Sequence, residues 1–92
     1  MRLDKYLKVS RIIKRRTVAN EACSGGRVTL NDKVAKPGAE VKPGDMITIR
    51  FGEHLGRYEV VSVIESARKE QASEMYRVLS EDSYMVTERN QS

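Results

Sequence analysis

The sequence predicts an α+β domain: two short N-terminal helices, a small antiparallel sheet, and a C-terminal helix. Three observations lead there. Two runs before residue 25 carry apolar residues at helical spacing. The turn signals Gly25-Gly26, Asn31-Asp32, Pro37-Gly38 and Pro43-Gly44-Asp45 then cut the chain into short alternating segments. A last amphipathic pattern runs over residues 71–82.

Residues 2–10 read as the first helix. Leu3, Tyr6, Leu7 and Ser10 form one stripe at i, i+3, i+4, i+7. On another face, Asp4 and Lys8 are spaced to pair. Ile12 and Ile13 anchor the connector in the core. Residues 17–24 read as the second helix, with Val18, Ala19, Ala22 and Cys23 as its apolar face and Gly25 or Gly26 as its end. Val28, Thr29 and Leu30 alternate as a strand, and Asn31-Asp32 suits a two-residue hairpin turn because both residues tolerate positive φ. Residues 33–36 would return beside it. In residues 46–51, Met46, Thr48 and Arg50 share one face, and Ile47, Ile49 and Phe51 the other. The β-branched residues 58–64 read as the next strand, joined through residues 52–56. Ala72, Met75, Tyr76 and Leu79 give the C-terminal helix its stripe, and residues 83–92 are expected to fray. The expected organisation is therefore a domain over residues 1–65 and a helical extension over 66–92.

A chain of 92 residues supports one domain with a modest core. It carries no apolar run of spanning length and no signal-peptide pattern, so a cytoplasmic protein is expected. The single cysteine cannot form an intramolecular disulfide. Net charge is +4, but its distribution matters more. Residues 1–50 hold 12 basic and 5 acidic side chains, a net +7; residues 51–92 hold 5 and 8, a net −3. One basic half points to a polyanion docking on one side. No basic helix has a continuous bulky apolar face, which argues against a membrane surface.

The charge concentrates at one corner. Lys8, Arg11, Lys14, Arg15 and Arg16 fall within nine residues, with no carboxylate among them. Lys14, Arg15 and Arg16 stand at the start of the second helix, where cations oppose the helix dipole. A bound phosphate would resolve that conflict. Arg27, just past the two glycines, is a further candidate.

These residues carry a resemblance. Arg2-Leu3-Asp4-Lys5-Tyr6-Leu7, then Arg16, Ala19, Gly26, Val28, Asn31, Pro37, Val41 and Pro43-Gly44-Asp45 resemble the S4-type RNA-binding domain over roughly residues 1–50. That domain packs two helices on a small bent sheet. The full length, with Glu74-Met75-Tyr76, resembles the stand-alone RqcP family of bacterial ribosome quality control and, less closely, the fifteen-kilodalton heat-shock S4 proteins. The resemblance implies an RNA-binding factor for obstructed large ribosomal subunits carrying peptidyl-tRNA. It would contact rRNA and tRNA and support RqcH in adding C-terminal alanine tails. Arg2 and Arg16 fall on the family's cationic positions, and both stand at expected helix starts. Arg15 departs from the Ser or Thr that often caps the second helix, leaving Thr17 or a bound phosphate to serve. Asp32 departs from the usual glycine of the hairpin turn. The alternative reading is a ribosome-binding S4 protein acting in subunit assembly or recycling.

The expected RNA-binding set is Arg2, Lys8, Arg11, Lys14, Arg15, Arg16 and Arg27. Tyr6 and Tyr76 read as packing residues from their helical spacing with Leu3, Leu7, Ala72 and Leu79, and no strand carries an aromatic pair for stacking bases. Folded RNA read by shape and phosphate is therefore favoured over a stacked single strand. Cys23 reads as a small core residue. His54 and the Glu81-Asp82 pair lack the companions a metal site or catalytic group needs. No enzyme, metal or cofactor is expected, and the protein is expected to act as a monomer.

Overall fold

The computed structural model describes residues 1–82. Helices α1 (Leu3–Val9) and α2 (Arg16–Ser24) come first, then strands β1 (Val28–Leu30), β2 (Lys33–Val34), β3 (Met46–Phe51) and β4 (His54–Val60). A single helical turn, α3 (Lys69–Ala72), and strand β5 (Tyr76–Asp82) follow. The strands form one antiparallel sheet in the order β2-β1-β3-β4-β5.

The expected α+β architecture is the one observed. Leu3, Tyr6 and Leu7 of α1 and Ala19, Ala22 and Cys23 of α2 are buried against Val28, Ile47, Ile49 and Val60 of the sheet. Ile13 anchors the connector, its N–H bonded to the Leu7 carbonyl at 3.0 Å. The β1–β2 hairpin turns at Asn31 (φ 54) and Asp32 (φ 68), as their chemistry predicts. Asn31 also ties the turn to β3, accepting the Met46 N–H at 3.0 Å.

Two elements differ from expectation. The strand predicted over residues 58–64 lies earlier, at β4. Gly52, at φ 57, permits a tight turn that pairs Phe51 with His54, so the hairpin closes at once and the ladder is complete by Val60. The β-branched residues beyond it leave the ladder; Val61 and Ser62 donate their N–H groups to the Met75 carbonyl instead, at 2.8 and 3.1 Å.

The helix predicted over residues 71–82 is the second difference. Only α3 is helical, and Tyr76–Asp82 runs as β5 along β4 with a register irregularity at Arg57/Tyr58. An unpaired β4 edge has open N–H and C=O groups along its length, and satisfying them outweighs the helical period and the helix propensity of Gln71, Ala72, Glu74, Met75, Arg77 and Leu79. The buried stripe survives in part: Ala72 and Met75 are enclosed, while Leu79 is 41% exposed. The fraying expected of residues 83–92 lies outside the described residues.

Candidate nucleic-acid interface

The start of α1 is closed by its own chain. Leu3 and Asp4 donate their N–H groups to the carbonyls of Ala39 (2.8 Å) and Pro37 (3.1 Å). The Met1 ammonium meets Glu40 at 2.7 Å. Arg2 therefore does not stand at an open helix start, as the sequence suggested; what it offers is its side chain.

Asp4 organises that side chain. Its carboxylate, 3% exposed, accepts the Lys5 N–H (2.8 Å), the Arg2 Nε (3.2 Å) and Nη2 (3.4 Å), and the Asn20 Nδ2 (3.3 Å). Arg16 Nη2 lies 3.5 Å away. Burial works against the charged form and is the largest single influence. The Asn20 and Arg2 hydrogen bonds, the Arg16 charge and the Lys5 N–H together outweigh it and hold the carboxyl below its ordinary value. The expected Asp4–Lys8 pair does not form because Asp4 turns toward α2. Arg2 and Arg16 come from different helices, touch the same carboxylate, and keep about half their side-chain surface in solvent (55% and 48%).

Helix α2 begins without a side-chain cap. Arg15 flanks it in extended backbone, and Thr17, weighed as an alternative cap, lies inside the first turn. The cations at this start follow directly. Lys14, Arg15 and Arg16 are all exposed. Lys8, Arg11 and Lys14 come together around a shallow hollow of about 160 Å³, closed by Val9 and Ala67. Arg11 holds a left-handed backbone, φ 65, in the turn after α1, its N–H bonded to the Lys8 carbonyl at 3.0 Å. For a non-glycine residue that conformation costs about 1–2 kcal/mol.

The sequence-derived candidates near the α1–α2 connector fall into two groups: Arg2 and Arg16 meet at Asp4, while Lys8, Arg11 and Lys14 surround the hollow past the end of α1; Arg15 flanks the start of α2. Arg27 stands apart, past the C-terminal end of α2 and beside the sheet. The nine residues of α2 separate its two ends by about 13 Å. Sequence reasoning missed Asp4, whose partners lie 12 and 16 residues away on α2.

Among the described residues, no group of three or more His, Cys, Asp and Glu is placed to hold a metal ion. No described helix is long and apolar enough to cross a membrane.

Comparison with known proteins places the chain in a family. The S4 domain model matches residues 1–47. A protein of Halalkalibacterium halodurans named RQC P-site tRNA stabilizing factor is 53% identical over 88 residues, covering 96% of this chain and all of the relative. Its Bacillus subtilis namesake is 49% identical, covering 89% of this chain and 95% of the relative. Heat shock protein 15 of Vibrio cholerae, solved as a trimer, superposes with a TM-score of 0.79 at 32% identity, covering 87% of this chain and 82% of that one. The chain belongs to the S4-domain family and groups there with the RQC P-site tRNA stabilizing factors.

Proposed function

We propose that this protein is a cytoplasmic RNA-binding factor of ribosome-associated quality control. It binds obstructed large ribosomal subunits carrying peptidyl-tRNA, contacts rRNA and tRNA, and supports RqcH-dependent alanine tailing. It acts by binding rather than by catalysis, as a monomer. Residues 1–65 hold the RNA grip; residues 66–92 serve stability or a protein partner. The names of the relatives support the tRNA and quality-control setting.

The observation that carries the reading is the Asp4-held pair of Arg2 and Arg16 beside the uncapped start of α2. Two guanidinium groups fixed by one buried carboxylate form a prearranged fork for phosphate oxygens. Lys8, Arg11, Lys14 and Arg15 extend that surface around the corner, and phosphate contacts of this kind set register on folded RNA.

The test is the Arg2→Ala, Arg16→Ala double variant. Its fold should survive, while its affinity for large subunits should fall by about 1–3 kcal/mol for each charge-assisted hydrogen bond removed. Its dependence on salt should also become shallower. In cells the variant should accumulate yet fail to support alanine tailing. Cosedimentation with large subunits equal to wild type at physiological salt would reject the proposal.

A further inference from the structure

The helices cover only one face of the sheet. The register places Thr29 beside Thr48, Thr48 beside Arg57, and Arg50 beside Leu55, all on the other face. Their alternates Val28, Ile47, Ile49 and Tyr58 are buried. Arg27 joins from the edge: Arg50 donates its backbone N–H to the Arg27 carbonyl at 2.9 Å. Together, Arg27, Arg50, Thr29 and Thr48 line a hollow of about 320 Å³ that reaches the Gly25-Gly26 turn. Arg57, 45% exposed, stands next to it on β4.

We propose that this groove is a second RNA contact, gripping a phosphate backbone on the face of the sheet opposite the helices. The proposal rests on the reading that the protein binds RNA, and adds to it a site that holds a different RNA segment from the one at the α1–α2 corner.

Three observations favour a phosphate strand. First, the charged side chains lining the hollow, Arg27 and Arg50, are donors only, and the hydroxyls of Thr29 and Thr48 beside them can donate as well. Second, the carbonyls ending α2, which would repel an anion, are engaged. Glu21, Ala22 and Cys23 accept N–H groups from Gly25, Arg27 and Gly26 at 2.9, 3.0 and 3.1 Å. Gly26, at φ 76, leaves its own surface open; a Cβ there would meet nothing nearer than Val34 Cγ1 at 4.0 Å. Third, two of the nearby carboxylates are placed weakly or elsewhere. Asp32 sits 3.9 Å from Arg57 and is 87% exposed, while Glu59 pairs with Arg77 at 3.5 Å farther along β4. An apolar protein partner fits less well. Val34 and Leu55 also line the hollow, from β2 and β4, three strand spacings or about 14 Å apart, so the apolar side chains flank its polar centre instead of filling it.

The experiment uses the full chain and a short fluorescein-labelled oligouridine, with affinity measured across a salt series. Each phosphate contact on a single strand contributes about −0.7 to the slope of log affinity against log salt. Arg50→Ala with Arg57→Ala should flatten that slope by about 1.4, and Arg50→Lys with Arg57→Lys should largely retain it. A photo-crosslinking residue at Thr48, on otherwise wild-type protein bound to large subunits, should label RNA. If the Arg50/Arg57 variant keeps the wild-type slope while Arg2→Ala with Arg16→Ala loses it, the groove proposal falls and the corner reading stands. If neither pair alters the slope, both fall. Labelling of protein alone from Thr48 would make the groove a protein dock and overturn the proposal, independently of how any arginine variant folds.

Discussion

Replacing Asp4 with Asn keeps the shape of the side chain and removes its charge. Oδ1 still accepts the Lys5 N–H, but the new amide nitrogen stands where Oδ2 received Arg2 Nη2 at 3.4 Å and Asn20 Nδ2 at 3.3 Å. Two acceptor contacts become donor against donor. A buried hydrogen bond to a charged group is worth about 1.5–3 kcal/mol, but these are long and both arginines can turn to solvent. The net cost should therefore be about 1–2 kcal/mol, or roughly 4–16 °C in Tm for a domain of this size. Asp4 is held below its ordinary 3.8 in the folded state. Its charge therefore adds stability above that value, and the contribution is lost as pH falls through the lowered folded pKa. Thermal melts at pH 7 and at about pH 2 read both effects. Wild type should exceed Asp4→Asn at pH 7, and the gap should close in acid, where protonated Asp4 resembles Asn. Equal stability at pH 7, or a gap undiminished in acid, would refute the reasoning.

Tyr6→Phe should cost about 1–3 kcal/mol, because the buried Met75 carbonyl loses the Tyr6 hydroxyl donated at 2.6 Å; chemical denaturation measures it. Gly56→Ala should destabilise by about 1–3 kcal/mol, because its Cβ would stand 2.6 Å from the Tyr58 hydroxyl and 2.9 Å from Cε2 of a ring only 8% exposed. A melt at or above wild type would show that the ring moves freely. The Cys23 thiol is pushed up to about 11, by burial first and then by the Asp4 charge. A disulfide reagent at about pH 8 should leave native protein unlabelled and react on unfolding; rapid native labelling would contradict this.

What could be read in the sequence divides along physical lines. Helices α1 and α2 were legible because most of their stripes, with Tyr6 and Cys23, bury as helical spacing requires; Val18, expected on the buried face of α2, is instead 40% exposed. The Asn31-Asp32 turn was legible because its chemistry is local. β5 was not. Ala72, Met75 and Tyr76 satisfy a helical period, and only the open edge of β4, a nonlocal fact, decides against it. The corner cations were visible as a charge run, but their arrangement was not. Arg2 and Arg16 are 14 residues apart, and what joins them is a carboxylate turned inward against the spacing that suggested a Lys8 partner. Arg50 was already placed opposite Ile47 and Ile49 by alternation; its neighbour Arg27 required the sheet register.

A buried carboxylate inside a surface proposed to hold phosphate looks self-defeating, and magnitudes decide the matter. A phosphate about 7 Å from Asp4 would be repelled by roughly 2 kcal/mol at an effective dielectric of 20. Against that, ordering two free arginine side chains on binding costs about 1–3 kcal/mol, which Asp4 has already met in the folded protein. The two nearly cancel, so Asp4 contributes little to affinity and chiefly fixes where the two guanidinium groups stand. Asp4→Asn should then bind a generic RNA duplex about as tightly as wild type while losing preference for large subunits over that duplex. Competition of the two RNAs for one labelled protein measures the ratio directly. An unchanged ratio would mean that Asp4 serves folding alone, and that the Arg2–Arg16 geometry carries no selectivity.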